Sequence, residues 1–183
     1  MQRRDAAPTA EKAHDDPGFS EAARALVGDK VDTTGWTNAV MPNSMEGLGG
    51  VWNNADGEAV FRTTVEVRAE LRGKELILSL GSLDDFDEVF FNGVSIGKTG
   101  AETPTWWAVK RNYTVPAALI RPGANTIAAR IWDRYGGGGF TGRPDELKLA
   151  PRVEKTELPP SLYHADYIEQ FDLSDDPHRY YNW

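Results

Sequence analysis

The sequence predicts an all-β domain built as an antiparallel β-sandwich, and three observations carry the prediction. Several short segments alternate apolar and polar residues with the period of two that a half-buried strand imposes. Turn signals separate these segments at close spacing, in a chain of 183 residues with 18 glycines and 11 prolines. No long segment carries the 3.6-residue period of a helix that would link parallel strands. At this length, with 40% hydrophobic residues, one domain with a sizeable core is expected.

The elements follow in chain order. Residues 1–17 are polar and rich in Ala and Pro, and read as a loose leader. "FSEAARALVG" offers a short helix, with Ser20 as N-cap and Gly28 as its stop. In "VFRTTVEV", Phe61, Thr63, Val65 and Val67 share one face, and Arg62, Thr64 and Glu66 the other. "ELILSL" turns Leu76, Leu78 and Leu80 inward. "EVFFNGVSIG" is two apolar runs joined by Asn92-Gly93, the sequence of a β-hairpin with a type I′ turn. In "TIAARIWD", Ile127, Ala129 and Ile131 lie on one face, with Arg130 and Trp132 on the other. Arg72-Gly73, Arg121-Pro122-Gly123 and the tetraglycine 136–139 mark further turns. The sandwich is expected over 18–153, followed by an acidic, aromatic extension over 154–183. That extension holds seven acids against two bases, which is net −5 of the total −8.

Charge and composition exclude several functions. A net charge of −8 argues against a partner held mainly by phosphate neutralisation, so nucleic acid is not an expected partner. The absence of cysteine removes disulfides, thiolate metal sites and cysteine nucleophiles. No apolar run approaches the roughly 20 residues of a membrane-spanning helix. The N-terminus has an arginine pair without an apolar stretch after it, so it does not read as a signal peptide. The chain is then either internal or a piece of a longer exported protein.

Two motifs invite a catalytic reading. Gly93-Val94-Ser95-Ile96-Gly97 matches the G-x-S-x-G pattern of serine hydrolases. A nucleophile elbow needs strand, strained turn and helix in that order, whereas here Ser95 falls in the return strand of a hairpin. The three histidines, His14, His164 and His178, all lie in the terminal segments. The hairpin is the preferred reading. Asp84, Asp85 and Asp87 precede a strand that is apolar on both faces, and an inward carboxylate needs a partner. Three roles stay open for them. They are ion pairs or backbone hydrogen bonds that fix the strand start, a structural calcium ion at Asp84 and Asp85, or a glycosidase-like carboxylate pair.

"FRTTVEV", "LRGKELILSLGSLDDFDEVFFNGVSIGKTG" and "RNYTVPAALIRPGANTIAARIWDRYGGGGFTG" together resemble the galactose-binding-like jelly roll that accompanies glycoside hydrolase family two enzymes and sialate O-acetylesterase-like proteins. The resemblance spans roughly residues 35–150. It implies an antiparallel sandwich of about eight strands. It also implies an accessory module of a bacterial polysaccharide-degrading system, secreted or periplasmic, whose catalytic machinery lies in other domains. "DDPHRYYNW" resembles the end of such proteins, which gives the expectation of a natural C-terminus.

A sugar presents hydroxyls around a ring with an apolar face, so its site needs an aromatic platform beside planar polar groups. Two segments supply both. "TPTWWAVKRNY" carries Trp106, Trp107 and Arg111, with Tyr113 as a core or corner aromatic, and "RIWDRYGGGGFTGRPD" adds Trp132, Asp133, Arg134, Tyr135 and Phe140. The resembled fold brings these segments together at one end of the sandwich. Of two adjacent tryptophans in a strand only one can face outward. Arg111 has the alternative of neutralising a buried aspartate, and Asp133 that of holding the glycine loop. Arg111, Arg130, Arg134 and Arg143 form a local basic set that offsets the acidic total for an anionic glycan. In the extension, His164, Asp166, Glu169, Asp172, Asp175, Asp176 and His178 read as a solvated acidic run before they read as metal ligands. The aromatics Tyr163, Tyr167, Phe171, Tyr180, Tyr181 and Trp183 predict that this segment packs on the sandwich or on a partner. The expected function is non-catalytic binding of oligo- or polysaccharide, with bracing of a partner catalytic domain as the alternative.

Overall fold

Alternation of apolar residues becomes two antiparallel sheets in the computed structural model, which describes residues 13–52 and 56–152. The eight strands are β1 (Gly57–Val67), β2 (Leu76–Asp84), β3 (Phe86–Phe91), β4 (Val94–Thr99), β5 (Lys110–Val115), β6 (Gly123–Asp133), β7 (Gly139–Phe140) and β8 (Leu147–Pro151). One sheet has the order β1-β6-β3-β4. In the other, β5 pairs with β2, and β8 and β7 pair with successive stretches of β2. The fold is therefore an all-β sandwich.

The predicted inward residues fill the space between the sheets. Val67, Leu76, Leu78, Leu80, Ile127, Ala129 and Ile131 join Val89, Phe91, Val115 and Phe140 in one buried cluster, with Phe61 and Val65 packed against it. The hairpin forms as read. Asn92 and Gly93 connect β3 to β4 with φ of 50° and 79°, the positive pair that a type I′ turn demands. Ser95 lies in β4 opposite Phe90 and donates its hydroxyl diagonally to Glu88 Oε1 at 2.7 Å on the surface.

The short helix α1 (Glu21–Leu26) is capped by Ser20, whose Oγ accepts from the Ala23 amide at 3.0 Å. It lies against the outer face of the first sheet. There Arg62 of β1 donates to the carbonyls of Leu26 at 2.9 Å and Gly28 at 2.7 Å, closing the end of the helix. The leader was expected to be loose through residue 17, yet its last residues are docked on the same face. Asp16 takes two hydrogen bonds from the Arg130 guanidinium at 2.6 and 2.7 Å, and the His14 carbonyl accepts from Trp132 Nε1 at 3.1 Å. Phe19 packs edge-on against Phe90, which explains why β3 is apolar on both faces.

The chain divides into units of residues 1–152 and 153–183. The expected packing of the extension over 154–183, with its histidines, acids and aromatics, lies outside the described residues. Among the described residues no helix is long and apolar enough to cross a membrane.

Candidate functional site

The aspartates that open β3 organise one end of the sandwich. Asp87 is buried and faces Arg111 of β5, whose Nε donates to Asp87 Oδ1 at 2.7 Å. Asp87 Oδ2 accepts from the Tyr113 hydroxyl at 2.5 Å, and Thr99 hydrogen-bonds that hydroxyl at 2.9 Å. Burial and the neighbouring carboxylate push the Tyr113 phenol up, so it stays protonated and donates. The rest of the Arg111 guanidinium holds backbone: Nη2 donates to the Asp85 carbonyl at 2.9 Å, and Nη1 to the carbonyls of Val109 and Trp106. Arg111 is 1% exposed, so it positions the segment before β5 and presents nothing at the surface. Of the two roles read from sequence, neutralising a buried aspartate is the one its geometry shows.

Asp85, between β2 and β3, ties two distant loops together. Its Oδ1 accepts from Trp106 Nε1 at 2.9 Å and its Oδ2 from the Arg134 amide at 2.8 Å. Trp106 is thereby turned inward, edge-on to Phe86 with ring centroids 5.4 Å apart. Trp107 stands edge-on to Trp106 at 5.2 Å and is 48% exposed. The pair was expected within a strand, but residues 101–108 form turns, and Thr105 has φ of 52°. The Arg134 guanidinium lies 5.6 Å from the Trp106 ring centre and 5.4 Å from that of Phe86, and Tyr135 beside it is 49% exposed. Trp106 and Arg134 thus meet at a point held by Asp85, with Trp107 and Tyr135 exposed next to them in the chain.

The other candidates sit elsewhere. Trp132 is on the outer sheet face, half-buried, with Arg130 over its ring at 5.5 Å and its indole N–H on the His14 carbonyl. Phe140 is buried in the core, edge-on to Phe61 at 5.4 Å. Asp133 is fully buried, and its Oδ1 accepts from the Tyr135 amide at 3.1 Å, so it shapes the glycine loop from below. A Cβ at Gly138 would fall 2.4 Å from Asp133 Oδ2, so only glycine fits over this carboxylate. Arg111, Asp133 and Phe140 are therefore supports, each removed from direct contact by burial.

Two of the acids carry protons near neutrality. Burial, reinforced by Asp56, Glu46 and Asp85, raises Asp133 to about 7, and its Oδ2 has no hydrogen-bond partner among the described residues. Burial and the adjacent Asp85 raise Asp84 to about 8. Both oxygens of Asp85 accept from N–H groups, and among the described residues no three His, Cys, Asp or Glu side chains converge as metal ligands.

Sequence reasoning foresaw backbone hydrogen bonds to the aspartates but not Asp85's partners Trp106 and Arg134, and it missed Phe86 as the surface under Arg134 and Asp15, which approaches Arg134 Nη2 at 3.3 Å. The apolar, acid-rich start of β3 was a signal for the first two. No local pattern marks Asp15.

No protein-family model matches the chain, and no curated protein matches it. Among solved structures it is similar to the β-glucuronidase of Bacteroides uniformis, with 15% identity and a TM-score of 0.52, over 68% of this chain and 15% of that one. A weaker likeness is to the β-glucuronidase of Ruminococcus gnavus, with 20% identity and a TM-score of 0.39, over 45% of this chain and 13% of that one. The first likeness is one of fold. The chain spans less than a sixth of the length of either of these proteins.

Proposed function

We propose that this chain is a non-catalytic carbohydrate-binding module, with Trp107 as the platform that stacks on a sugar ring. The observation that carries the reading is the exposed Trp107 beside Trp106, with the Arg134 guanidinium on the Trp106 ring and Tyr135 exposed next to it in the chain. Stacking on an exposed indole covers the C–H face of a pyranose, while the flanking polar groups select hydroxyl positions. The fold it shares with a region of a β-glucuronidase supports an accessory role beside a glycoside hydrolase, in a secreted or periplasmic setting. Sialate esterases remain an expectation of the sequence motifs alone.

The test is affinity electrophoresis of the full chain against a panel of soluble polysaccharides. Retardation by a glycan, lost in Trp107→Ala with the thermal midpoint unchanged, is the expected outcome. Migration unchanged by every glycan overturns the reading.

One observation favours the second reading, a brace for a partner domain. A groove of about 1410 Å³ lies along β1, lined by apolar residues that include Met41, Trp52 and Phe61 and by polar ones that include Asp29, Lys30, Glu58 and Arg62. Its apolar stretch offers contact to another protein surface. This reading predicts association with a glycoside hydrolase catalytic domain that survives Trp107→Ala.

A further inference from the structure

The tetraglycine 136–139 leads from β6 into β7 and passes over Asp133. Asp133 is fully buried, and its Oδ1 accepts from the Tyr135 amide at 3.1 Å. Its Oδ2 lies directly under Gly138, buried without a hydrogen-bond partner among the described residues. Residues 43–46 clamp the loop. The Met45 amide donates to the Gly138 carbonyl at 2.8 Å, the Phe140 amide donates to the Asn43 carbonyl at 3.0 Å, and Ser44 pairs with Gly139. Glu46, the last residue of the clamp, also has a buried oxygen without a partner, Oε1, and its Oε2 lies 4.0 Å from where a Cβ of Gly137 would stand. Two adjacent glycines of one loop therefore border two carboxyls, each with an oxygen sealed from solvent and from any donor among the described residues.

The charges around Asp133 do not neutralise it. Asp56 and Glu46 act on it from the segments before β1, and Asp85 and Asp84 from the turn between β2 and β3, with Asp84 opposite Gly139 in the sheet. Among the nearby cations, Arg111 is bound to Asp87, and Arg134 lies over the Trp106 and Phe86 rings with Asp15 as its carboxylate contact. His14 stands 3.9 Å from Asp56. An ionised Asp133 under the closed loop is a buried charge with no cation paired to it, whereas an open loop lets water solvate it. Burial and the surrounding acids accordingly raise Asp133 to about 7.

We propose that the glycine loop is a pH-dependent latch, shut over a neutral Asp133 and released when that carboxyl ionises. The inference stands whether or not the chain binds sugar. In the open loop the carboxyl returns to its ordinary value of about 3.9, so opening releases a proton at any pH between that value and the closed one. The equilibrium constant for opening therefore rises with pH by up to about ten-fold per unit over this interval and levels off above it. Release frees the Tyr135 amide from Asp133, and with it the exposed ring at the root of the loop.

The experiment is amide hydrogen exchange of the full-length protein by NMR from pH 5 to pH 8, with each rate divided by that of an unstructured chain at the same pH. Met45, Tyr135 and Phe140, whose amide hydrogen bonds hold the loop, are expected to lose roughly 100-fold in protection between pH 5 and 7 and to level off above that. At every pH they should be less protected than the amides of β6, because the loop opens without the rest of the sandwich. Asp133→Asn should flatten the three profiles, while β6 keeps a slope from Asp84 and Asp87. Glu46→Gln removes one of the charges facing Asp133, so its profiles should level off at lower pH than the parent's, and this variant carries the test if Asp133→Asn does not fold. Asp145→Asn, at an exposed acid, should reproduce the parent's profiles. Flat profiles in the parent, a slope that survives Asp133→Asn, or protection equal to that of β6 overturns the latch. So does a Glu46→Gln protein whose profiles level off where the parent's do.

Discussion

Asp85 accepts two hydrogen bonds from segments far apart in the chain, the Trp106 indole and the Arg134 amide. Both are accepted by a carboxylate, so an amide in its place keeps one and turns a donor toward the other. Asp85→Asn is expected to cost about 1–3 kcal/mol of stability, the range for a buried partner left unsatisfied. It should also red-shift the fluorescence of the Trp106 indole as that ring loosens, and weaken glycan binding. Trp107→Ala should do the reverse, removing binding with little loss of stability, because an exposed ring contributes little to the core. Urea titration with both readouts on both variants distinguishes a positioning residue from a contact residue. An Asp85→Asn protein with unchanged stability and emission would show that the tether does not hold these segments.

The β3–β4 hairpin shows the same logic for an element. Gly93 has φ of 79°, and a Cβ there would fall 2.6 Å from the Asp29 amide nitrogen, just beyond the end of α1. Gly93→Ala therefore strains the turn and pushes on the segment after the helix, with an expected cost of about 1–3 kcal/mol and faster proteolysis near residue 29. A variant as stable and as resistant as the parent would refute this account of the turn. The hairpin was legible because Asn-Gly between apolar runs is a short-range signal, as were the inward residues of β1, β2 and β6. The Trp106-Trp107 segment was not, since its turn depends on Arg111 reaching back to the carbonyls of Trp106 and Val109. Nor could composition show that His14 and Asp16 dock. Their partners Trp132 and Arg130 lie more than a hundred residues away, and polar leaders without such partners have the same appearance. At the site, the aromatic and cationic residue types were readable, while the separation of Trp107 and Tyr135 from the buried Arg111, Asp133 and Phe140 required the fold.

Over the whole molecule, two sets of carboxyls pull stability in opposite directions with pH. Asp29 is held below its ordinary value by hydrogen bonds from Arg121, and Asp16 and Glu58 by bonds and charge from Arg130 and their neighbours that outweigh burial. Each contributes stability above its unfolded value, lost as pH falls through the lower folded one. Asp133, raised to about 7, and Asp84, raised to about 8, act with the opposite sign. Between pH 4 and these values the folded chain keeps protons that the unfolded chain has released. Stability from this pair is therefore complete below about pH 4 and declines as pH rises through 7 and 8, at up to about 1.4 kcal/mol per unit for each proton retained. The groups that set this balance around Asp133 are Asp56, Glu46 and Asp85, with Arg111 acting on Asp84 from the opposite side. Between pH 5 and 8 the first set is already ionised in both states, so Asp133 and Asp84 decide the slope together with Asp87, which burial raises in the same direction against the pull of Arg111. The urea midpoint of the parent protein should fall from pH 5 to pH 8, and Asp133→Asn, neutral throughout, should fall less. A parent midpoint that rises over this interval would mean that Asp133 and Asp84 are ionised in the fold, and that the buried oxygen of Asp133 is satisfied by a partner other than a proton.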